Sequence, residues 1–460
     1  MSLWTAAEIA AATQGRVTAD FAADGVSIDS RSIEPGDLFV ALAGVRDGHE
    51  FAAKALADGA AGILASRPVD GPSVQVAETL QALEALGVAA RDRSAARRCA
   101  VTGSVGKTSV TQAIAAGLAL AGPSHTSVKS YNNHIGVPLT LARMPSATQR
   151  AVFEIGMNHA AEITPLSRMV RPHAVAITTV GPVHIENFPD GETGVARAKA
   201  EIFDGIEPGG VAVLNADNKW FDLLSETARA AGARVLSFGA GAGCDARLTG
   251  FDAREGRATV SAVLHGQPLT YDLLQTGHHW GLNSLCTLLM LEAMDVARPT
   301  ALEALSRFEP LAGRGAEKLV HKPGVPFTLI DESYNANPIS MIAGFRTLGA
   351  RKVQGRRIVA LTDMLELGPD GPAMHASLAG PIEEANIDLV FVAGPLMKSL
   401  WEALPATRRG GYAETAADLA PLVATALEAG DVVMVKGSNG SRAGQIAAAL
   451  AALDSAGGGA

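Results

Sequence analysis

Cysteine is scarce: Cys99, Cys244 and Cys286 are the three in 460 residues, and no two stand in a CxxC spacing. That excludes a disulfide framework and a cysteine zinc site, and fits structural thiols in a reduced, cytoplasmic compartment. No run of 18 apolar residues occurs, which excludes a membrane-spanning helix. The opening MSLWTAAEIAAATQG lacks the basic start and apolar run of a signal peptide. A basic excess is also missing. Lys and Arg number 38 against 47 Asp and Glu, a net charge of −9, which excludes gripping nucleic acid through the overall field. Any anion must therefore be held by a local site. The 49 glycines and 23 prolines fall short of the roughly 25–30% that marks low complexity, and neither a fixed-period repeat nor a charge block is present.

The length predicts two to four domains, each able to bury a core. Residues 1–82 read as a small α/β unit, with Thr5 capping a helix, LFVAL (38–42) as a buried strand and a helix from Glu50 to Gly59. From 83 to 311 the runs RCAVTG, AVFEIG, AVAITTVG and GVAVLNAD have the length of buried parallel strands, and each stops at a polar or glycine-containing segment. In open parallel sheets those stops meet at the carboxyl ends of the strands, where ligands bind. From 312 to 460 the alternation restarts with strands at 327–331, 357–363, 388–394 and 431–437, a Rossmann-like unit whose tail, 455–460, is expected to be disordered. The fold class is α/β in three domains: a small N-terminal unit, a central P-loop domain with a mostly parallel sheet, and a Rossmann-like C-terminal domain.

The strongest chemical signal is Thr102-Gly103-Ser104-Val105-Gly106-Lys107-Thr108-Ser109, between a strand and a helix in which Val110, Ile114 and Leu118 recur at four-residue spacing. Glycines let amides close around phosphate oxygens, the helix start adds positive potential, Lys107 reaches terminal phosphates, and the Thr108 hydroxyl suits Mg²⁺. Val101 stands where the general P-loop has its first glycine. Glu154, late in an otherwise apolar strand, needs a cation or lies at the sheet rim. His184 sits just past the next strand, as a metal ligand or an ordinary loop histidine. Lys199 reads from its neighbours as a solvated charge on an exposed helix face. Asn215 and Asp217 could hold a base or cap a helix, Arg314 in a glycine turn could clamp phosphate or lie on the surface, and Asp331 could meet ribose hydroxyls or open a loop.

In this order the pieces resemble the Mur ligase family of ATP-dependent amide ligases. TGSVGKTS is similar to that family's variant P-loop, which accounts for Val101. DSRSIEPGDLFVALAG, RDGHEF, SYNNHIGVPLTL, EIGMNH, KAEIF, NADN, DESYNANP, DMLELG and VKGSNGS extend the likeness from residue 29 to 442. Within the family the segments resemble the members that add D-alanyl-D-alanine to UDP-N-acetylmuramoyl-tripeptide through an acyl phosphate, in cytoplasmic peptidoglycan precursor synthesis. The DNPR segment of the diaminopimelate-adding members is absent. The resemblance implies ATP and Mg²⁺ as cofactors, with Lys107, Lys199 and His184 catalytic, Thr108 and Glu154 on one metal ion, and His184 with a carbamylated Lys199 on a second. It implies nucleotide contacts from Gly103, Ser104, Val105, Gly106, Lys107, Thr108, Ser109, Asn215, His279, Asn283, Arg314 and Asp331. His279 is preferred to His278 because it lies four residues before Asn283. Ser30, Arg31, Asp47, Gly48 and His49 fall near the UDP moiety, and Asn132, Asn133, Asn335 and Asn337 near the reacting centre. Trp280 and Thr362 replace an asparagine and a glycine common in the family. A monomer is expected. The rival readings are another Mur-type or folylpolyglutamate-type ligase and, from a different class, a P-loop kinase or NTPase.

Overall fold

A computed structural model describes residues 2–454 except 45, 129 and 255; the tail 455–460, expected to be disordered, lies outside the described residues. The first unit is a five-stranded sheet in the order Arg16–Val17, Ser73–Gln75, Gly62–Ala65, Asp37–Val40, Gly25–Ser27, parallel except at its first pair. Thr5 does cap a helix, Ala6–Thr13, in a reciprocal capping box with Glu8. Ile9, Leu38, Val40, Leu64 and Leu83 fill one face of this sheet, and Phe39, Ile63 and Ala55 the other.

Nine strands form the central sheet, ordered Gln267–Leu273, Arg257–Leu264, Ala246–Arg254, Arg234–Gly239, Val211–Asn215, Ala174–Ile177, Arg97–Thr102, Arg150–Glu154, Ser124–Thr126. The last seven are parallel, and the four at their centre, Val211–Asn215, Ala174–Ile177, Arg97–Thr102 and Arg150–Glu154, are buried on both faces and so read as apolar runs. Helices Lys107–Ala121 and His279–Ala293 cover one face; they approach so closely that a Cβ on Gly117 would lie 2.6 Å from Leu291 Cδ1. The first three strands are two antiparallel hairpins that the alternation of strand and helix did not predict. One of them turns at His265-Gly266, both at positive φ (49° and 78°), the geometry of a two-residue type I′ turn.

The C-terminal sheet runs Ala316–Lys322, Val325–Glu332, Val432–Lys436, Arg357–Thr362, Leu389–Ala393, Arg409–Ala413. The last strand in sequence, Val432–Lys436, is inserted between two earlier ones, which creates a switch point where strand ends diverge and a crevice opens.

The helix Thr79–Asp92 packs against both Ala6–Thr13 and Gly136–Ala142, so the 82/83 division runs through one helix. Around it the first two domains are bonded together. Trp4 Nε1 donates to Ala142 O at 2.8 Å, the Arg93 guanidinium lies 3.6 Å over the Trp4 ring, and Arg143 Nε donates to Val26 O at 2.6 Å. Trp4→Ala removes a buried ring, its hydrogen bond and its cation contact. It is expected to cost about 3–5 kcal/mol in denaturant unfolding; a change under about 1 kcal/mol would show that this contact does not hold the domains.

Candidate active site

Parallel registry aligns the strand ends that build the site. Arg97–Thr102 lies between Ala174–Ile177 and Arg150–Glu154, with Thr102 opposite Ile177 and Val101 opposite Glu154. The chain then turns through Gly103 (φ +151°) and Gly106 (φ +89°) into the helix Lys107–Ala121. A Cβ on Gly103 would sit 2.0 Å from Thr178 Oγ1, and one on Gly106 3.4 Å from Asn283 Oδ1. The turn is pinned from the neighbouring strand end: Ser104 N donates to Thr179 O at 2.8 Å, Ser104 Oγ to Gly181 O at 3.1 Å, and Thr178 Oγ1 to Val105 O at 2.5 Å. Lys107 Nζ donates to Gly103 O at 2.7 Å. Enclosure lowers its pKa from the usual lysine value, against the pull of Glu154 and with a further push from Arg314.

A cleft of about 560 Å³ opens above this turn. Among the residues singled out in the sequence it is lined by Ser104 through Ser109, Asn132, Glu154, His184, Asn215, His279, Asn283, Arg314, Asn335 and Asn337. Gly103, Asn133, Lys199 and Asp331 are not in its lining, nor are Ser30, Arg31, Asp47, Gly48 and His49. The floor comes from the central domain and the roof from the C-terminal domain. Arg314 Nη2 bridges them, donating to Thr108 Oγ1 at 3.0 Å while its guanidinium lies 4.1 Å over the Tyr334 ring. Thr108 Oγ1 is also 3.2 Å from Ser130 Oγ.

Glu154 is 3% exposed and accepts from Asn132 Nδ2 at 2.7 Å. Asn133 instead closes the turn that leads into the helix Gly136–Ala142, accepting from Ile135 N at 3.2 Å and Gly136 N at 2.9 Å. Asn337 caps Pro338–Ala350, and Asn215 Nδ2 donates to Thr178 O at 3.2 Å. His278 packs on Phe251 at 5.3 Å, leaving His279 as the one of this pair that lines the cleft.

Lys199 corrects the sequence reading. It is 3% exposed, because the helix Glu192–Ala200 buries Val195, Ala196, Ala198, Lys199 and Ala200, nearly all of its last two turns. Among the described residues its ammonium has neither a hydrogen bond nor an ion pair. Burial, with Lys107 adding repulsion, lowers its pKa well below the lysine range. His184 is also lowered, first by burial; Glu366 opposes the shift, and Lys107 and Lys199 reinforce it.

Asp331 and Glu332 are adjacent on a strand and therefore face opposite ways. Asp331 accepts from Gly313 N at 3.2 Å and Ser333 N at 3.1 Å, which fixes the glycine turn carrying Arg314. Glu332 lines the cleft and accepts from Lys436 Nζ at 3.2 Å. The sequence reading missed Glu332 and Lys436, and also Ser130, Thr178, Thr179 and Tyr334. Lys436, a lysine ending the apolar run DVVMV, and Thr178, at the stop of AVAI, carried a signal.

In the first domain, His49 Nε2 accepts from Ser66 N at 3.0 Å, which leaves its Nδ1 to donate to Asp47 Oδ1 at 2.6 Å. Asp47 also meets Arg67 at 2.5 Å. Gly48 has no room for a side chain, since a Cβ would lie 2.7 Å from Leu42 O. Arg31 makes a two-pronged pair with Asp29, at 2.8 and 2.7 Å, and its side chain is largely exposed. Ser30 beside it is half-buried.

Chemically, the cleft offers backbone amides, Lys107 and Arg314 to a polyphosphate. Among the described residues no three His, Cys, Asp or Glu side chains form a metal cage. One hydroxyl, Thr108, and one carboxylate, Glu154, are nevertheless the kind of hard, sparse donor set that Mg²⁺ shares with phosphates. Gly103→Ala is expected to weaken ADP binding about tenfold or more in calorimetric titration, since forcing a side chain into that backbone region costs about 1–3 kcal/mol. Unchanged affinity would remove this turn from ligand binding.

Three family descriptions match the chain: "Mur ligase family, catalytic domain" over residues 23–96, "Mur ligase middle domain" over 101–291, and "Mur ligase, glutamate ligase domain" over 318–439. The UDP-N-acetylmuramoyl-tripeptide–D-alanyl-D-alanine ligase of Escherichia coli (strain K12) is 34% identical over 395 residues, 82% of each chain. The Bacillus subtilis (strain 168) enzyme of the same name is 31% identical over 432 residues, 92% of each. Among solved structures, MurF from Acinetobacter baumannii superposes with a TM-score of 0.86 at 28% identity, covering 98% of this chain and 99% of that one. A Thermotoga maritima MurF in complex with ADP shares the fold, with a TM-score of 0.78 at 22% identity, covering 93% and 97%. The chain belongs to the Mur ligase family.

Proposed function

We propose that the chain is an ATP-dependent ligase that joins D-alanyl-D-alanine to UDP-N-acetylmuramoyl-tripeptide, in cytoplasmic peptidoglycan precursor synthesis. The observation that carries this reading is the composite cleft, in which Arg314 of the C-terminal domain reaches Thr108 of the P-loop at 3.0 Å. A site assembled from two domains suits a reaction that holds ATP on one and an acceptor on the other. The whole-chain likeness to ligases of that name supports the choice of substrates.

A carboxylate is inert to amines until it is activated. The tripeptide carboxylate attacks the γ-phosphorus, forming a P–O bond as the bond to the ADP oxygen breaks, and an acyl phosphate results. The dipeptide amine then attacks the acyl carbon, loses a proton, and expels phosphate as the amide forms. Lys107 and the amides of Val105 to Thr108 orient and neutralise the phosphoryl oxygens. Lys107 and Arg314 exchange their present partners, Gly103 O and the Thr108 hydroxyl, for phosphate oxygens. Asn215, His279 and Asn283 border the nucleotide, Asp331 holds the Arg314 turn, and Glu332 adds the carboxylate that faces ribose. Asn132, Asn335 and Asn337 face the reacting centre, and the cluster around Asp47, Gly48 and His49, with Ser30 and Arg31, takes the UDP end. The protein acts as a monomer and needs no nucleic acid; among the described residues no helix is long and apolar enough to cross a membrane.

Thr108 and Glu154 would hold one Mg²⁺, and His184 with carbamylated Lys199 a second; when bound, the ions neutralise charge on the transferring phosphoryl group. Lys199 suits carbamylation because burial and the repulsion from Lys107 disfavour the charged form of its amine. A neutral amine adds to CO₂, forming an N–C bond and releasing a proton, and the product is an anionic oxygen donor where an ammonium would repel a cation.

ADP release is expected to require both UDP-tripeptide and D-alanyl-D-alanine, with a product heavier than the UDP-tripeptide by the dipeptide less water. Release indifferent to the dipeptide would favour a kinase or NTPase. Lys107→Ala should abolish ADP formation, and normal turnover would take the P-loop out of the mechanism. Lys199→Ala should be inactive and partly rescued by small carboxylates; full activity without rescue would refute the carbamate.

A further inference from the structure

Beside Lys199, two loops from different domains meet through a pair of strained residues. His184 Nδ1 is buried and lies 2.6 Å from Glu366 Oε2, an ion-pair contact in which the ring nitrogen is not aligned as a hydrogen bond. Both residues adopt left-handed backbone, φ 57° and 62°, a conformation that costs a non-glycine residue free energy and persists where the surroundings enforce it. The surroundings do so on both sides. The chain entering Glu366 is tied residue by residue: Asp363 Oδ1 accepts from Met397 N at 2.8 Å, Met364 N donates to His375 Nε2 at 2.9 Å, and Leu365 N donates to Ser438 Oγ at 3.0 Å. His375 is fully buried and its Nδ1 donates to Gly371 O at 2.6 Å, so both ring nitrogens are spent on holding this loop. On the central side, Asn187 N donates to His184 O at 3.0 Å and Asn187 Nδ2 to Asn158 O at 3.1 Å. Next to the pair, a Cβ on Gly368 would sit 3.1 Å from Glu186 Cβ, so the loops are also in van der Waals contact.

We propose that Glu366 is a positioning residue: a small turn of the ring gives its carboxylate the Nδ1–H of His184, leaves Nε2 as the free nitrogen at the cleft, and so sets the imidazole for a cation only while the C-terminal domain is docked. This rests on the metal role given to His184 above. A carboxylate behind a ligating imidazole fixes tautomer and ring orientation and raises ligand basicity, and removing such a partner costs about 10–100-fold in metal affinity. Here the carboxylate belongs to the other domain, so docking and completion of the metal site become one event.

The test compares the full-length chain with Glu366→Ala, Glu366→Gln and Glu186→Ala. In the unaltered chain, nitrogen NMR of His184 is expected to report a single Nδ1–H tautomer. In Glu366→Ala it should become a mixture, Mn²⁺ affinity with ADP present should fall about tenfold or more, and kcat should drop while KM for ATP holds. Glu366→Gln keeps an acceptor for Nδ1–H and should retain the tautomer. Glu186→Ala disturbs the same contact without touching the imidazole and should change neither reading. An unaltered His184 spectrum in Glu366→Ala, or an equal loss of Mn²⁺ affinity in Glu186→Ala, overturns the proposal. The tautomer is read without substrates, so that failure would leave the ligase reading standing, whereas a failed substrate-omission assay would not alter the imidazole spectrum.

Discussion

Two lysines share a low-dielectric corner. Both are lowered by enclosure, Lys107 adds repulsion at Lys199, and Glu154, itself 3% exposed, pulls against the shift at Lys107. Such an arrangement is unfavourable by itself, since like charges out of water are neutralised by proton loss or by a counter-ion. It becomes favourable once anionic phosphate oxygens enter, or once one of the amines becomes an anion. A chain with net charge −9 thus keeps its anion-binding power in a few enclosed groups, and its average charge says nothing about its ligand.

The position of that corner follows from strand geometry. Parallel pairing in register brings Thr102, Glu154, Ile177 and Asn215 to one edge of the central sheet, so the segments beyond them must share a space. The C-terminal sheet makes a second such edge, where Val432–Lys436 is threaded between earlier strands and delivers Lys436 beside Glu332. The two edges face each other across the cleft. Neither completes a site alone: the P-loop lacks Arg314, and the C-terminal edge lacks the phosphate cradle.

Much of this was legible in the residues. The P-loop, the parallel strands and the stops after them are local patterns whose physics is local: apolar runs, glycines at positive φ, a lysine at a helix start. What escaped was set by packing or by a one-residue phase. Lys199 looked solvated because its own helix is short and mixed; its burial comes from elements distant in sequence. Asp331 and Glu332 differ only in which way a strand points them, and one residue of register exchanges their roles. The hairpins of the central sheet turn on His265-Gly266, which lacks the Asn-Gly or Asp-Gly signature of that turn. Glu366 lies in a motif, DMLELG, whose residues gave no hint that a histidine from another domain waits for it.

Two-domain construction also bears on why activation and amide formation can be kept together. An acyl phosphate is lost to water unless the site is closed when it forms. In this fold the groups that would stabilise transfer come from both sides of the cleft, with Arg314 on the P-loop hydroxyl and Ile339 packed onto Gly181 so tightly that a Cβ there would lie 1.9 Å from the isoleucine Cδ1. A domain that must be docked to supply charge also removes solvent by docking. In the proposed reaction the acyl phosphate would then form under the conditions that protect it, and the interface, more than any single residue, would separate a ligase from an enzyme that merely hydrolyses ATP.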